Sequence, residues 1–182
     1  TLTDGADSEA SSIDVSVDNS IIAAVVTNGA CSKGELYLVD ANSKTKYGPY
    51  ELGYNPDAVD IAVDNQYVVV VNEFDYGDGL DGGCESIGYP SVSIYDISSG
   101  LGSATLVKNI PITHMVEGVF AEPEGVKIAS DGRTVFMTLQ ETSEIGWFDI
   151  TNPPDTLVDR MAFSSRDHQP DGIWVNDAQT LI

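Results

Sequence analysis

Positive charge is what this 182-residue chain has least of: 8 Lys and Arg stand against 29 Asp and Glu, for a formal net charge of -21. The few cations are scattered. They form no basic patch that would hold a nucleic-acid backbone or an anionic membrane surface. Apolar runs are short, and none reaches the 18 or more residues of a membrane-crossing helix. None sustains a 3.6-residue period beyond a turn or two, which excludes a helical core. Cysteine is limited to Cys31 and Cys84, too few to make a zinc site by themselves. The sequence also lacks an Asn-x-Ser/Thr acceptor, a Gly-x-Ser-x-Gly elbow, a His-Glu-x-x-His helix and a phosphate-cradling glycine loop.

What is present is an acidic chain with 42% hydrophobic residues, enough for a packed core and too many for a disordered acidic tail. Such a surface suits cations, a basic partner or solubility at high salt. The chain starts at Thr1 without an initiator Met or a signal peptide, and residues 179–182 read as the middle of a strand. Both features point to a processed chain or a fragment.

The apolar residues fall in short β-rich segments separated by turn residues. Ile13–Asp18, Ile21–Thr27, Glu35–Asp40 and Tyr47–Leu52 form a first set, with Pro49 placing the last of them at a sheet edge. Val59–Val63, Tyr67–Asn72, Ser91–Ile97 and Thr105–Ile110 form a second. Val126–Ala129, Thr134–Leu139, Ile145–Ile150 and Leu157–Phe163 form a third, and a fourth begins at Ile173.

Three markers recur in the same order. The first is a tight turn after the first strand, at Asp18-Asn19, Asp64-Asn65, Asp131-Gly132 and Asn176-Asp177. The second precedes that strand, at Asn55-Pro56-Asp57, Glu122-Pro123-Glu124 and Gln169-Pro170-Asp171. The third closes the third strand, at Val39-Asp40, Tyr95-Asp96 and Phe148-Asp149. Four-stranded units repeating at roughly 40 to 50 residues are the pattern of propeller blades.

The expected fold is therefore all-β: three four-stranded blades and the start of a fourth, an arc of a β-propeller. The expected division is an acidic N-terminal segment at 1–12, blade 1 at 13–53 and blade 2 at 54–121, with insertions at 73–90 and 111–121. Blade 3 follows at 122–168, and the start of blade 4 at 169–182. An open arc leaves edge strands that a further part of the propeller or another protein chain would cover.

Val70-Val71-Asn72-Glu73, then an acidic insertion, then Pro90-Ser91-Val92-Ser93-Ile94-Tyr95-Asp96 resembles the bacterial choice-of-anchor propellers of type I. That family includes the animal mesenchyme-specific cell-surface glycoproteins and is related to YVTN-type propellers. Glu122-Pro123-Glu124-Gly125-Val126 with Val135–Glu141 is similar to its most characteristic segment, and Gln169-Pro170-Asp171-Gly172-Ile173 to the start of another of its blades. The resemblance covers roughly residues 55–175 and implies a secreted or surface-anchored seven-bladed propeller. It implies no particular reaction. Phe74 departs from the family, which has Gly after Asn-Glu.

In a blade, the start of the first strand and the end of the second open on one face. Asp57 is thus expected near Glu73, Glu124 near Gln140-Glu141, and Asp57, Glu124 and Asp171 along one mouth of the channel. Gathered carboxylates repel one another unless a cation joins them, and Ca²⁺ takes 6 to 8 oxygen ligands. The alternative is that these acids cap backbone N–H groups in turns. Asp75, Asp78, Asp81 and Glu85 are spaced through a Gly-rich insertion that either wraps Ca²⁺ or is a solvated acidic loop. They do not follow the EF-hand pattern. Asp4, Asp7 and Glu9 are weaker candidates.

Cys31 and Cys84 both fall between second and third strands of adjacent blades. They read as a disulfide joining consecutive blades, with two free thiols as the alternative. His114 and His168 are the only histidines, and no catalytic residue is assigned. Trp147 and Trp174 read as blade packing, Tyr76 and Tyr89 as exposed contacts.

The expected function is an extracellular, calcium-associated module for adhesion, scaffolding or surface assembly. The alternative is a metal-dependent phosphoester hydrolase at the acidic mouth. Peptide mapping of the oxidised protein, with and without reductant, is expected to recover one peptide pair joined through Cys31 and Cys84. Two alkylated thiols before reduction would remove the disulfide, and with it this argument for an oxidising compartment.

Overall fold

The computed structural model describes residues 8–29, 32–74, 88–157, 159–163 and 169–176. They form three four-stranded antiparallel sheets whose strands follow in sequence order, as in propeller blades. Sheet 1 is β1 (Glu9–Val15), β2 (Ile21–Thr27), β3 (Lys33–Asp40) and β4 (Thr45–Tyr54). Sheet 2 is β5 (Pro56–Ile61), β6 (Tyr67–Asn72), β7 (Ser91–Asp96) and β8 (Thr105–Pro111), with one 3₁₀ turn at Leu101–Ser103. A small hairpin, β9 (Met115–Val116) and β10 (Val119–Phe120), leads to sheet 3: β11 (Pro123–Ile128), β12 (Thr134–Leu139), β13 (Glu144–Asp149) and β14 (Arg160–Ala162). Among the described residues no helix is long and apolar enough to cross a membrane.

The recurring turn has the same chemistry in each sheet. Asp18, Asp64 and Asp131 each accept the backbone N–H two residues on, at 3.0, 3.1 and 2.8 Å. The residue between is left-handed, at φ 59° for Asn19, 58° for Asn65 and 71° for Gly132, which is why Asn or Gly stands there.

Boundaries differ where side chains gave no signal. The first strand starts at Glu9 rather than Ile13, inside the segment read as an N-terminal tail. Backbone pairing with β2 holds its polar beginning. The outer strand of sheet 3 is only Arg160–Ala162, because Leu157 leaves the strand to bury itself against Gly146. Pro49 lies in β4, an edge strand, where the pairing with β3 slips between Leu36 and Leu38.

The core lies between the sheets. Along β6, Val68 and Val70 enter the cluster shared with sheet 1, while Val69 and Val71 enter the one shared with sheet 3. All four are fully buried, each worth about 1.5 kcal/mol or more. Val59 and Ile61 of β5 are 7% and 4% exposed against sheet 1. Their equivalents in β1, Ile13 and Val15, are 65% and 46% exposed, because sheet 1 has no preceding sheet among the described residues.

A repeated carboxylate bond sets the spacing between sheets. Ile61 N–H donates to Asp14 Oδ2 at 2.9 Å, and Ile128 N–H donates to Asp60 Oδ2 at 2.7 Å. Asp60 is 2% exposed and also pairs with Lys127. Burial lifts its pKa to about 6 despite the pull of Lys127. Asp60→Ala is expected to cost about 3 kcal/mol, because it strips a buried N–H and an ammonium of their partner. Asp14→Ala removes one half-buried bond and is expected to cost about 1 kcal/mol. Urea unfolding of both variants measures the difference, and equal or reversed costs would contradict the role given to Asp60.

Candidate functional site: a carboxylate cluster at the seam of two sheets

The chain enters each sheet through a β-bulge. Pro56 pairs with Asn72 and Ala58 with Val71, which leaves Asp57 as the extra residue. Between Pro123 and Val126, Glu124 and Gly125 together face Thr138. A bulge re-aims the side chain it carries. The same irregularity in β1 falls between Ala10 and Ser12, leaving Ser11 as the unpaired residue. Ser11, Asp57 and Glu124 therefore hold equivalent positions, to which the Gln169-Pro170-Asp171 motif adds Asp171 by sequence. Ser11 escaped the sequence reading because no Pro precedes it and no acid stands there. Its hydroxyl donates to Pro56 O at 2.6 Å.

Oxygens of Asp57, Glu73 and Glu124 all lie within 4.8 Å of one another, and each residue is half-buried. Glu73 follows β6 directly. Its N–H donates to Asn55 O at 2.9 Å, and Asn55 Nδ2 donates to Glu73 Oε2 at 2.8 Å, so one residue holds both ends of it. The expected nearness of Asp57 to Glu73 is thus found. Glu124 meets these two residues of the preceding sheet. Glu141, just past the end of β12, accepts from Gln169 Nε2 at 3.4 Å.

Asp171 is exposed at the edge of the group and acts on both Asp57 and Glu124 through its charge. Its backbone oxygen accepts from Thr138 Oγ1 at 2.7 Å, seating the start of the next blade against sheet 3. Asp75, Asp78, Asp81, Glu85, Cys31, Cys84 and His168 lie outside the described residues. His114 sits elsewhere, with Nε2 3.1 Å from Glu144 Oε2.

The acids divide into two populations. Asp18, Asp40 and Asp96 sit in turns and accept hydrogen bonds from side chains and N–H groups there. Those bonds lower their pKa values, that of Asp18 to about 2. Asp57 and Glu124 are shifted the other way. Burial raises both, and the charge of Asp171 raises Asp57 further. Glu124 is pushed up to about 9 by burial and then by Glu73, Asp57 and Asp171, all of them negative. The turn-capping alternative thus describes the outer turns, whereas burial and neighbouring carboxylates dominate around Asp57 and Glu124. The donor set consists of carboxylate oxygens, without imidazole or thiolate, and fits a hard cation such as Ca²⁺ better than zinc.

The choice-of-anchor I domain matches residues 2–170. No curated protein matches the sequence. Solved structures share the fold at low identity. A functionally unknown protein from Desulfotomaculum acetoxidans is 13% identical, with a TM-score of 0.65 over 94% of this chain and 47% of its own. Kuenenia stuttgartiensis hydrazine synthase is 10% identical, with a TM-score of 0.65 over 92% and 53%. The Dos1 propeller is 8% identical, with a TM-score of 0.64 over 93% and 37%. The chain spans about half the length of the solved chains it resembles, or less.

The metal-free cluster carries a pH signature. A carboxyl raised to about 9 in the folded state binds its proton more tightly than it does unfolded. Its stabilising contribution is full below the ordinary Glu range and is lost as pH rises toward 9. In chelator, the melting temperature is expected to fall across that interval, and Glu124→Gln to flatten the fall. An unchanged slope in Glu124→Gln would show that the group does not carry the effect.

Proposed function

The chain belongs to the choice-of-anchor I domain family, and from that premise we propose that it is part of an extracellular or cell-surface β-propeller that binds calcium and serves adhesion, scaffolding or surface assembly. The observation that carries the calcium reading is the approach of Asp57, Glu73 and Glu124 to within 4.8 Å. A divalent cation there would replace the proton on Glu124 and offset the repulsion among the three carboxylates. Asp171, exposed at the edge, offers a further oxygen or a water-mediated contact. Asp75, Asp78, Asp81 and Glu85 follow in sequence between β6 and β7, outside the described residues, and are read as a second calcium-holding segment.

The partner reading rests on the open side of sheet 1. Ile13 and Val15 are exposed there, where their equivalents in the next sheet are buried against a neighbour. The occupant that fits is protein, in the form of further propeller blades. A disulfide between Cys31 and Cys84 would accord with an oxidising, extracellular setting.

The hydrolase alternative needs cationic groups to grip phosphate. Lys33, Lys108, Lys127, Arg133 and Arg160 are instead paired with Glu51, Asp155, Asp60, Asp149 and Glu144, none of which belongs to the cluster. The adhesion or scaffold reading therefore stands first.

Thermal unfolding in Ca²⁺ and in chelator tests the site. At about 100 times the dissociation constant, a cation bound only to the folded state adds about 2.7 kcal/mol. For a chain of this size that is a rise of roughly 5 to 10 °C. The triple variant Asp57→Asn, Glu73→Gln, Glu124→Gln is expected to lose the rise. No rise in the wild type, or the same rise in the variant, would refute calcium binding at these residues. Calcium-dependent cleavage of p-nitrophenyl phosphate, lost in the variant, would favour the hydrolase reading.

A further inference from the structure

Away from the cluster, a cleft of about 370 Å³ opens between the outer strands of sheets 1 and 2. It is walled by the end of β4 on one side and by β7 and β8 on the other, and its size falls in the range of small-molecule sites. Its back wall is a fixed polar ladder. Asn72 is fully buried; its Oδ1 accepts Gly53 N–H at 3.0 Å, and its Nδ2 donates to Ser91 Oγ at 3.2 Å and Ser93 Oγ at 3.0 Å. Ser93 Oγ in turn donates to Asn109 Oδ1 at 3.2 Å. Asn109 lines the cleft and is exposed, and with its Oδ1 committed to Ser93 its Nδ2 is the donor it can offer a ligand.

The rim adds aromatic surface and a balanced charge. Tyr89 is 54% exposed, yet its ring is held edge-on to Phe120 at 5.7 Å. Tyr54 is held likewise against Phe74 at 5.6 Å. Lys33 and Glu51 pair at 2.5 Å, so the rim has no net charge of its own. The chain's -21 charge works against an anionic ligand, and no carboxylate cluster lines this cleft to attract a cation.

We propose that this cleft binds a neutral saccharide. A sugar ring presents an apolar C–H face and an edge of hydroxyls. That pairing matches the exposed Tyr89 ring beside the Asn109 amide and the Glu51 carboxylate, all of which line the cleft. Preorganisation supports the match, since the Asn72 ladder and the Tyr89–Phe120 contact hold the polar and aromatic walls in place before a ligand arrives. The cleft and the carboxylate cluster share no residue, so the saccharide site stands whether or not calcium binds.

The test is a titration of isotope-labelled protein with cellotriose, maltotriose and N,N′-diacetylchitobiose, each to about 10 mM, the concentration suited to millimolar affinity. The Asn109 side-chain amide is the reporter in the wild type, and the backbone amides of Ser91 and Ser93 report in every variant. At least one saccharide is expected to shift that signal saturably. Asn109→Ala and Tyr89→Ala are expected to weaken binding about tenfold while the protein still unfolds cooperatively. The lost Ser93 and Phe120 contacts lower the melting temperature by roughly 2 to 4 °C, and Tyr89→Phe is expected to keep the ring and the affinity. The proposal is overturned if none of the three saccharides moves the Asn109 signal. It is equally overturned if binding survives both alanine variants.

Discussion

Two backbone N–H groups, those of Ile61 and Ile128, reach across to Asp14 and Asp60 in the sheet before them, and much of the remaining structure follows from those bonds. Sheets with apolar side chains on both faces have to be covered on both faces. β6 meets that requirement by sending alternate valines into opposite cores. Hydrophobic packing brings the sheets together but is indifferent to small slides and rotations. A carboxylate that accepts one particular N–H is not. It holds the first strand of one sheet in register with the first strand of the sheet before it. That register carries Glu124 to Asp57 and Glu73, so the acidic cluster results from how sheet 3 seats on sheet 2.

The arrangement separates two uses of the same residue type. Asp in the outer turns is consumed locally by N–H and hydroxyl groups that stabilise its charge, and these residues account for part of the acidity without forming any site. At the seam, charge is destabilised by burial and by neighbours of the same sign. A count of acids cannot separate the two. The surroundings of each carboxyl do: N–H and hydroxyl donors lower the turn acids, while burial and then neighbouring carboxylates raise Asp57 and Glu124.

Much of the architecture was legible because turn chemistry is local. Asp followed by Asn or Gly announces a left-handed residue closing a tight turn, and three such turns at Asp18, Asp64 and Asp131 marked the sheets. The start of β1 was not legible. Glu9 to Ser12 carry no apolar alternation, and their strand character comes from backbone pairing with β2. Ser11 carries no signal either, since no Pro precedes it and no acid stands there. The β9–β10 hairpin falls in the insertion at 111–121 and leaves no signal in the sequence, since strands of two residues have no period to detect.

The sequence by itself determined the all-β class, the blade-sized repeat, the excess of negative charge and the placement of Asp57 beside Glu73. Each of these depends on residues close in the chain or on strand alternation. Only the tertiary structure decided that Glu124 meets Asp57 and Glu73 of the preceding sheet. It alone decided that Asp171 stays at the exposed edge, and that Asn72 organises a cleft between two sheets. Those are contacts between sheets, set by bulge direction and by the seating of one sheet on the next. The pattern of residues within a blade does not encode either.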